Sequence, residues 1–559
     1  MSCSKSSLKS LVLCAFCLNF LFLSEVYSQS PRVASVEFKA CTPSPEICGN
    51  GIDDDCTGGD ALCPTADFDN DGYENNSDCD AKDHSVYPGV SVECKADCGD
   101  GVKTCQAGGS FSACSCDTLC ESKGSGRCFY VNPVSGNDNN SGSYAQPLKT
   151  VRRLVTYASS KGTSAPANRI TLIPGDVIYL MSGVYQDEYV TYEPEFLQHV
   201  LKLNGVRGTS SAPIVFKAYP GNVPVISPAG VARGIEVRNA SHIHFHGIQI
   251  KGASHAGVAG FDSDNLKFTN MTIYDTDGVD NDNPAGLYFT YVNNLEVSNS
   301  VIHDNYDRTC ADTGGQKTEN SRNIVLFKGG NVKIHHNYIY QSQSTNAQKT
   351  GSCLVYKHSQ SVSGGLFEVY NNVFRNCFFT AVGNGGYGGR IHHNLILNSD
   401  TGVMVKDMGG NADGRDNIVE YNTFVNTTAF EFNPSQFIQG NYNYGTFTFR
   451  NNVISDDSNY GADAGGIFDI DIYGSNAAKD ITENSTLLVT DNNCFFNAKG
   501  PVKMNYFASN SSAVRSAGDL YSLSGWKNIG YDVNSVETNP LLSAVNYKSS
   551  VSACSGKGW

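Results

Sequence analysis

The chain has 559 residues, of which 40% are hydrophobic and 11% aromatic, and its formal net charge is −15 at pH 7. This length and aromatic content allow a large buried core, which excludes a wholly disordered protein. The sequence has no basic stripe, P-loop or dinucleotide fingerprint, so neither nucleic-acid binding nor nucleotide-dependent chemistry is expected.

The first 28 residues have the pattern of an export signal. Two lysines precede an apolar run from Leu11 to Leu23, and Val26-Tyr27-Ser28 offers a cleavage site. The run is shorter than a membrane-spanning helix needs. We therefore expect a signal peptide over residues 1–28, a linker over 29–40, and a mature protein that is secreted, outside the cell or at its surface.

Twelve of the 20 cysteines fall between Cys41 and Cys128. The same stretch holds 17 acidic and 5 basic residues, so most of the net charge lies there. A segment this short buries little apolar area, and its even cysteine count indicates a disulfide framework. Cys114 and Cys116 also match a zinc-ligand spacing, although an oxidising compartment favours disulfides. Residues 41–128 are therefore predicted to form a separate Cys/Asp-rich module.

One acidic loop of this module has the spacing of a calcium site. Oxygen-bearing side chains stand at positions 1, 3, 5, 9 and 12, Gly72 at position 6 allows the turn, and position 7 can offer a backbone carbonyl. Ca²⁺ takes six or more oxygen ligands from such closely spaced groups. A solvated acidic turn is the alternative, because an Asp replaces the usual Glu at position 12. The predicted ligands are Asp67, Asp69, Asp71, Tyr73, Asn75 and Asp78.

The cysteines and acids of the module also form a recognisable motif. Its parts are Pro45 to Cys56, Asp78-Cys79-Asp80, Tyr87-Pro88-Gly89 and Cys98-Gly99-Asp100-Gly101. Together they resemble a Cys/Asp-rich metal-binding motif of bacterial secreted and surface proteins. The resemblance implies an extracellular accessory module whose metal has a structural role.

From about Ser241 to Asn497 the chain repeats a phrase in which an Asn stands between two β-favouring runs. Successive copies are 22 to 41 residues apart, so one coil needs about 22 residues and the surplus leaves as loops. A helical repeat would not tolerate such uneven spacing. Three short strands per coil, with Asn at a left-handed corner, predict a parallel β-helix. The central residues are Asn270, Asn299, Asn337, Asn372, Asn394, Asn422, Asn452 and Asn493.

Further segments stand before the repeats, namely Phe129 to Pro133, Gly136 to Gly142, Pro147 to Val151 and Pro174 to Leu180. With the Asn repeats, they resemble the right-handed parallel β-helix proteins of the pectate-lyase-like superfamily. The resemblance implies an all-β solenoid over residues 129–545 and a C-terminal tail over 546–559. It implies little about chemistry, because the superfamily includes lyases, hydrolases, epimerases, esterases and noncatalytic adhesins.

One strand of each coil alternates between inward and outward residues, and its fourth place is predicted to face water. The fourth places are Thr290, Lys328, Lys357, Asn384, Lys406, Asn433 and Asp471. Parallel strands lie about 4.8 Å apart, so the three lysines would form one ridge of mutually repelling charges. An anionic polymer lying on the ridge would neutralise them. Lysines that splay into water are the alternative.

The ridge predicts a particular chemistry. In β-helix lyases for uronate polymers, a base removes the proton α to the carboxyl group and a cation stabilises the enolate-like charge. A lysine crowded by other cations is pushed toward the neutral amine that a base needs. The candidates for catalysis are Lys357, then Lys406, with Arg390 binding the carboxylate. The expected substrate-binding residues are Lys328, His358, Asn384, Arg415 and Asn433.

Other polar clusters leave alternatives open. The acids from Asp275 to Asp282 offer a second calcium site or a solvated loop. The alternating histidines 242–246 lack a carboxylate at ligand spacing, so zinc is not expected there. The pairs His335-His336 and His392-His393 are interpreted as exposed or stacked corners.

The sequence as a whole favours a secreted, monomeric polysaccharide lyase. Its cofactor would be Ca²⁺, and its partner an acidic polysaccharide or a cell-surface glycan. It lacks the arginine motif of pectate lyases and the paired-Asp signature of polygalacturonases, so two alternatives stay open. One is a noncatalytic adhesin or glycan binder, and the other is a glycoside hydrolase that uses Glu431, Asp469 and Asp471.

Overall fold

The chain forms two compact units, Met1–Leu119 and Cys120–Trp559. The expected signal peptide (1–28) and linker (29–40) lie outside the described residues. The computed structural model describes residues 67, 71–81, 83–96, 99–114, 120–154, 168–186, 199–228, 233–277, 283–306, 321–342, 351–357, 366–385, 388–406, 416–433, 446–456, 468–473, 488–498, 500–509, 519–543 and 546–559.

The first unit is a small antiparallel sheet held by disulfides. Its strands are Ser91–Ala96, Gly99–Gln106 and Ser110–Phe111. The disulfides Cys79–Cys105 and Cys94–Cys114 join the sheet to its flanking segments. They confirm the predicted framework for these four cysteines. A zinc site that uses Cys114 is excluded, because its sulfur is bonded to Cys94.

The second unit is a parallel β-helix with three sheets, numbered 1 to 3 in the order in which a coil visits them. Strands Ala256–Thr269 and Ala285–Ser298 bend from sheet 1 into sheet 2 without a break. The other strands of sheet 1 are His199–Asn204, Arg233–Arg238, Arg322–Phe327, Ser352–Lys357, Val382–Asn384, Thr401–Lys406, Thr428–Asn433, Phe468–Tyr473, Lys503–Ser509 and the antiparallel Asp519–Ser522.

The remaining strands complete each coil. Those of sheet 2 are Cys128–Val131, Val177–Leu180, Ile214–Ala218, Ser241–His246, Val332–His335, Phe367–Tyr370, Gly389–His392, Asn417–Glu420, Phe447–Arg450 and Leu488–Asp491. Those of sheet 3 are Gly183–Tyr185, Pro224–Ile226, Gln249–Lys251, Thr272–Tyr274, Val301–His303, Tyr338–Tyr340, Val373–Arg375, Leu395–Leu397, Thr423–Val425, Val453–Asp456, Cys494–Asn497 and Val536–Glu537.

Apolar side chains stack in register inside the coils. Leu287 lies opposite Ile324 in the next coil, and both are fully buried. Phe216, Phe245 and Phe268 stack in the same way, with ring centroids 5.3 and 5.2 Å apart. Full burial of each such side chain contributes roughly 2–3 kcal/mol. The core is therefore one continuous column, and each coil depends on its neighbours.

The turn from sheet 2 to sheet 3 has two residues in every coil from His246 to Cys494. Its first residue has a left-handed backbone, as predicted for Asn270 (φ 54°) and Asn299 (φ 52°). The prediction is wrong for the six later repeats, in which the Asn is the second turn residue and points into the core. The left-handed residues there are His336, Asn371, His393, Tyr421, Asn451 and Asn492.

The six buried asparagines form a hydrogen-bonded ladder. In the first five, Nδ2 donates to the Oδ1 of the next coil's Asn, at 2.9 to 3.2 Å. Each Nδ2 also donates to a backbone carbonyl, as Asn394 does to Val369 at 2.9 Å. Corner groups that would otherwise be buried without partners are satisfied in this way. The ladder comprises Asn337, Asn372, Asn394, Asn422, Asn452 and Asn493.

Asp532 ends this ladder. Its Oδ1 accepts hydrogen bonds from Asn493 Nδ2 at 2.8 Å and Ser535 Oγ at 2.6 Å. Its Oδ2 accepts from the indole Nε1 of Trp526 at 3.0 Å, and Trp526 is fully buried on the short helix Leu523–Asn528. Burial raises the pKa of Asp532, and these hydrogen bonds oppose that shift.

Disulfides also join four of the later cysteines, whereas Cys310 lies outside the described residues. Cys353–Cys377 joins consecutive coils and Cys494–Cys554 ties down the C-terminal segment, while Cys120–Cys128 lies at the start of the second unit. Short 3₁₀-helices cover Val151–Leu154 and Ser552–Cys554. In the described part of the chain, no helix has the length and apolar character needed to cross a membrane.

In the coils from His246 to Cys494, the long connections lie between sheets 3 and 1 or between sheets 1 and 2. One between sheets 3 and 1 has 18 residues, from His303 to Arg322, and one between sheets 1 and 2 has 14, from Tyr473 to Leu488. The two-residue turn leaves no room for insertions between sheets 2 and 3. Variable loops therefore flank the outer face of sheet 1, which is the face most suited to carry a functional site.

Replacing a ladder residue should destabilise the protein. Asn394→Ala removes the hydrogen bonds that join Asn372, Asn394 and Asn422, and leaves buried backbone groups without partners. We expect the free energy of unfolding to fall by about 3 kcal/mol or more in urea titrations. The exposed Asn139→Ala serves as the control and should change it by less than about 0.5 kcal/mol. Equal effects of the two substitutions would contradict a stabilising ladder.

Candidate functional site

The outer face of sheet 1 carries one row of side chains that crosses five consecutive coils. The strand register places Arg238 opposite Phe261, Phe261 opposite Thr290, Thr290 opposite Phe327, and Phe327 opposite Lys357. The inward neighbours of these residues belong to the core, whereas the row itself is half-buried. We call these five residues the outer row.

Lys328 does not belong to the outer row. The prediction placed Lys328 beside Lys357, but Phe327 occupies that position and Lys328 follows it by one residue. Lys328 has a left-handed backbone (φ 48°) and begins the corner toward sheet 2. Its Nζ donates to the hydroxyl of Tyr291 at 3.2 Å. The predicted ridge of adjacent lysines is therefore wrong at Lys328, because the strand ends one residue earlier than the pattern indicated.

Asn384 is also displaced from its predicted place. It lies opposite Tyr356 and Val405, in a row that faces the core, and is 1% exposed. Its Nδ2 donates to Oδ1 of Asn417 at 2.8 Å. Asn384 therefore contributes to the interior and is not available to contact a substrate.

Arg390 lies on sheet 2 and not on sheet 1. Its Nε and Nη2 donate to Oε1 of Glu420 at 2.8 and 2.6 Å, and Arg450 donates to Oε2 of the same carboxylate at 2.9 Å. Desolvation would raise the pKa of Glu420, but the two guanidinium groups lower it below its usual value. Arg390 thus serves an ion-pair network, and its predicted place beside Lys357 is wrong.

Only some of the other predicted site residues belong to the described part of the chain. Lys406 lies two strands beyond Lys357 in the same row, opposite Asn433. Their strands are described, but their side chains are not. His358 and Arg415 lie outside the described residues. Glu431, proposed for a hydrolase, is half-buried on the outer face opposite Asp469.

Lys357 has a cationic neighbour that the sequence did not reveal. Its Nζ donates to Oδ1 of Asn283 at 2.9 Å, and Nη1 of Arg322 donates to the same oxygen at 3.2 Å. Arg322 begins its strand and is only 3% exposed. Two positive groups therefore converge on one amide oxygen at the edge of sheet 1. Arg322 has the role that the prediction gave to Lys328, namely a second cation next to Lys357.

A second charged cluster lies earlier on the same face. The fully buried Glu236 pairs with Nη1 of Arg233 at 2.5 Å, Nε of Arg238 at 3.1 Å and Nζ of Lys202 at 3.5 Å. Desolvation would raise the pKa of Glu236, but attraction to Arg233, Lys202 and Arg238 lowers it to about 2. Oδ2 of Asp262 also lies 3.9 Å from Nη1 of Arg238, so the cluster joins three cations to two carboxylates. The sequence signal for this cluster was Glu236-Val237-Arg238, in which two charged residues stand at alternate positions of a strand and so share a face.

Aromatic side chains fill the space between the two cationic regions. The ring of Tyr288 lies 5.8 Å from that of Phe261 and 5.4 Å from that of Phe327, measured between centroids. His255 packs against Tyr288 at 5.2 Å. The guanidinium of Arg238 lies 4.1 Å from the centroid of Phe261, at cation–π distance. We call Phe261, Tyr288 and Phe327 the aromatic strip.

The predicted calcium loop has preorganised oxygens. Asp67 accepts backbone hydrogen bonds from Asp71 at 3.2 Å and Gly72 at 2.9 Å, while Asp71 Oδ1 accepts from Tyr73 at 2.9 Å. Oδ2 of Asp71 and Oδ2 of Asp78 are buried without a hydrogen-bond partner. Desolvation raises the pKa of Asp71, and the nearby Asp78 adds to the shift. Buried carboxylate oxygens without partners are the type of ligand that a hard cation takes, but the described acids of this loop are not arranged as a group of three around one point, and Asp69 lies outside the described residues.

The histidine pairs stack as predicted. His335, Tyr370 and His392 form one continuous stack on sheet 2, with ring centroids 4.7 and 5.1 Å apart. On the same sheet, desolvation lowers the pKa of His244 and of His246 to about 4, which keeps both neutral near pH 7. Among the described residues, no group of three or more His, Cys, Asp or Glu side chains is arranged to hold a metal ion.

The loop acids of the second possible calcium site are described only in part. Asp275 and Asp277 belong to the described residues, whereas Asp280 and Asp282 do not. Asp275 has a left-handed backbone (φ 58°) and leads into the loop. The loop returns to sheet 1 at Asn283, the residue that contacts Lys357.

Comparison with known proteins supports the architecture. A family model described as right handed beta helix region matches residues 233–377. The fold is a right-handed parallel β-helix. No curated protein matches the chain.

Several solved structures have a similar arrangement at low identity. Pectate lyase Pel9A is 17% identical, with a TM-score of 0.38, over 58% of this chain and 75% of that one. A GH136 lacto-N-biosidase from Eubacterium ramulus is 16% identical, with a TM-score of 0.39, over 66% of this chain and 64% of that one. A rhamnogalacturonan lyase is 16% identical, with a TM-score of 0.35, over 73% of this chain and 87% of that one. The chain thus spans less than two thirds of the lacto-N-biosidase.

The Glu236 cluster should contribute strongly to stability. Glu236→Gln leaves three cations without their buried counter-charge, so we expect the free energy of unfolding at pH 7 to fall by about 3 kcal/mol. The pKa of Glu236 is lowered from 4.5 to about 2, so this contribution is fully present above pH 4.5 and is lost as the pH falls toward 2.

Urea unfolding of wild type and variant at pH 7 and near pH 2.5 would test this. The difference should shrink on acidification. Glu368→Gln is the control, because Glu368 lies 3.9 Å from Lys333 and is partly exposed; it should cost less than about 1 kcal/mol. A difference between wild type and Glu236→Gln that grows at low pH would contradict the assignment.

Proposed function

We propose that the protein binds an acidic, uronate-containing polysaccharide along the outer face of sheet 1 and cleaves it by β-elimination. The observation that carries the proposal is the convergence of Lys357 and Arg322 on Asn283. Two cations at one point favour a carboxylate ligand. The loops at both edges of sheet 1 supply further contacts and allow the substrate to be selected.

The chemistry assigns a role to each group. The neutral Nζ of Lys357 takes the proton α to the uronate carboxyl group, the electron pair forms a carbon–carbon double bond, and the glycosidic oxygen at the β carbon leaves with a proton from solvent. The guanidinium of Arg322 opposes a positive charge on Lys357 and stabilises negative charge that develops on the carboxylate. The products are an unsaturated uronate and a shortened chain.

The disulfides bear on where the protein is located. Five disulfides lie in the described residues, in both compact units. Disulfides persist in oxidising compartments, and uronate-containing polysaccharides occur outside the cell. We therefore infer secretion, in agreement with the export signal predicted over residues 1–28.

The acidic loop of the first unit is proposed to bind Ca²⁺. Asp67, Asp71 and Asp78 would supply carboxylate oxygens, together with Asn75 and the carbonyl of Tyr73. When bound, the ion would neutralise the crowded carboxylates and fix the loop. In this proposal the ion has a structural role and takes no part in the elimination reaction.

Lys357→Ala should separate catalysis from binding. We expect the rate of unsaturated-product formation, followed by ultraviolet absorbance on alginate, pectate and chondroitin sulfate, to fall at least 100-fold on the polymer that is cleaved. Lys333→Ala is the control, because Lys333 lies on sheet 2 and faces Glu368. It should leave the rate unchanged.

Three outcomes would decide against the proposal. Polymer retention without any bond cleavage would identify a binder or adhesin. New reducing ends without a double bond would identify a hydrolase, for which the candidates are Glu431, half-buried on the outer face, and Asp469, opposite it in the strand register. Full activity of Lys357→Ala would remove this residue as the base.

The calcium proposal predicts metal binding that depends on two carboxylates. Isothermal titration of the full mature chain with Ca²⁺ should show binding, and Asp71→Asn or Asp78→Asn should weaken it at least tenfold. Ca²⁺ at 100 times its dissociation constant should stabilise the wild-type fold by about 2.7 kcal/mol. Glu74→Gln is the matched control, because it removes a charge from an exposed, non-ligand position of the same loop. Loss of binding in that control would indicate a diffuse charge effect.

A further inference from the structure

The aromatic strip lies on the same face as Lys357 and Arg238. Phe261, Tyr288 and Phe327 project outward from sheet 1, a surface where polar residues are expected, and all three remain half-buried. Their rings follow one another across three consecutive coils at 5.8 and 5.4 Å. On sheet 2, by contrast, the outward residues include closed ion pairs such as Lys267 with Glu296 at 2.8 Å.

Positive charge lies at both ends of the strip. Arg238 and Lys357 are the first and last residues of the outer row, and four strand spacings separate them. At about 4.8 Å per spacing, their backbones lie about 19 Å apart. The Glu236 cluster surrounds Arg238 with two further cations, and Arg322 accompanies Lys357. The face therefore alternates from cationic to aromatic to cationic along the axis of the β-helix.

This pattern complements one chemical class. A sugar ring has an apolar face of axial C–H groups that packs on aromatic side chains, and its uronate carboxylate pairs with lysine or arginine. We propose that the aromatic strip is a sugar-stacking platform for an acidic oligosaccharide that lies parallel to the β-helix axis and is long enough to reach from Arg238 to Lys357. The inference rests on the proposed function, since it takes the ligand to be a uronate polymer.

Two consequences follow from the geometry. A short uronate reaches only one cationic region, so affinity should rise with chain length until the ligand spans both. Loss of one ring of the platform should weaken the binding of long chains more than it weakens the binding of a disaccharide. Thr290, between the two phenylalanines of the outer row, offers a hydroxyl to the same ligand.

The test measures affinity of the full mature chain by isothermal titration calorimetry. The ligands are uronate oligosaccharides of increasing length and neutral xylose and arabinose oligosaccharides of matching length. Phe327→Ala should lower the affinity for long uronate chains about tenfold, whereas Phe327→Tyr, which keeps a ring, should lower it less than about threefold. Tyr370→Ala is the matched control, because it removes a half-buried outward ring from the stack on sheet 2. It should leave affinity unchanged.

The outcomes distinguish the platform from the proposed function. Unchanged affinity in Phe327→Ala, together with lost activity in Lys357→Ala, would overturn the platform and keep the function. Binding of neutral chains alone, weakened by Phe327→Ala, would keep the platform and overturn the acidic substrate. No binding of any chain by the wild type would overturn both. Equal affinity for disaccharides and long uronates would overturn the spanning arrangement. Unfolding curves of each variant confirm that the compared proteins are folded.

Discussion

The rest of the structure depends on the hydrogen-bonded turn between sheets 2 and 3. The left-handed residue and the buried Asn ladder fix this turn at two residues, so a longer turn would leave core amides without partners. In the coils from His246 to Cys494, extra residues enter between sheets 3 and 1 or between sheets 1 and 2. The requirement to satisfy buried polar groups at one corner thus directs the insertions of these coils to the ends of the sheet 1 strands, where the proposed site lies.

The two larger polar faces of the β-helix differ in how their charges are balanced. On sheet 2, acids and bases are paired within the protein, as Glu420 is between Arg390 and Arg450. On sheet 1, Glu236 meets three cations, and Arg322 and Lys357 share a neutral amide. The cations of sheet 2 named here thus meet at a carboxylate, whereas Arg322 and Lys357 meet at an amide oxygen, the point at which the proposed function places a carboxylate of the substrate.

Much of the fold could be predicted from the sequence, because the Asn phrase reports a local backbone requirement that recurs in each coil. The site was predicted less well. Lys357 was placed on the correct face, but Lys328 was misplaced by one residue, which is enough to move a strand side chain to another position. Arg322 and Asn283 approach Lys357 from other coils, and no spacing in one sequence reveals such a contact. Arg390 was assigned to the wrong sheet because the Gly-rich segment before it hid the corner.

The ladder that fixes the corner also has a direction. Each side-chain amide donates one N–H to the next coil on the C-terminal side and also donates to a carbonyl of the preceding coil, so the bonds between the side chains of the ladder all run one way. Asp532 accepts the last of these bonds with a carboxylate, which has no N–H group to donate to a further Asn. Asp532 is itself fully buried and accepts a hydrogen bond from the buried Trp526, so the row of amides ends inside the fold and adding another Asn coil there would require replacing Asp532.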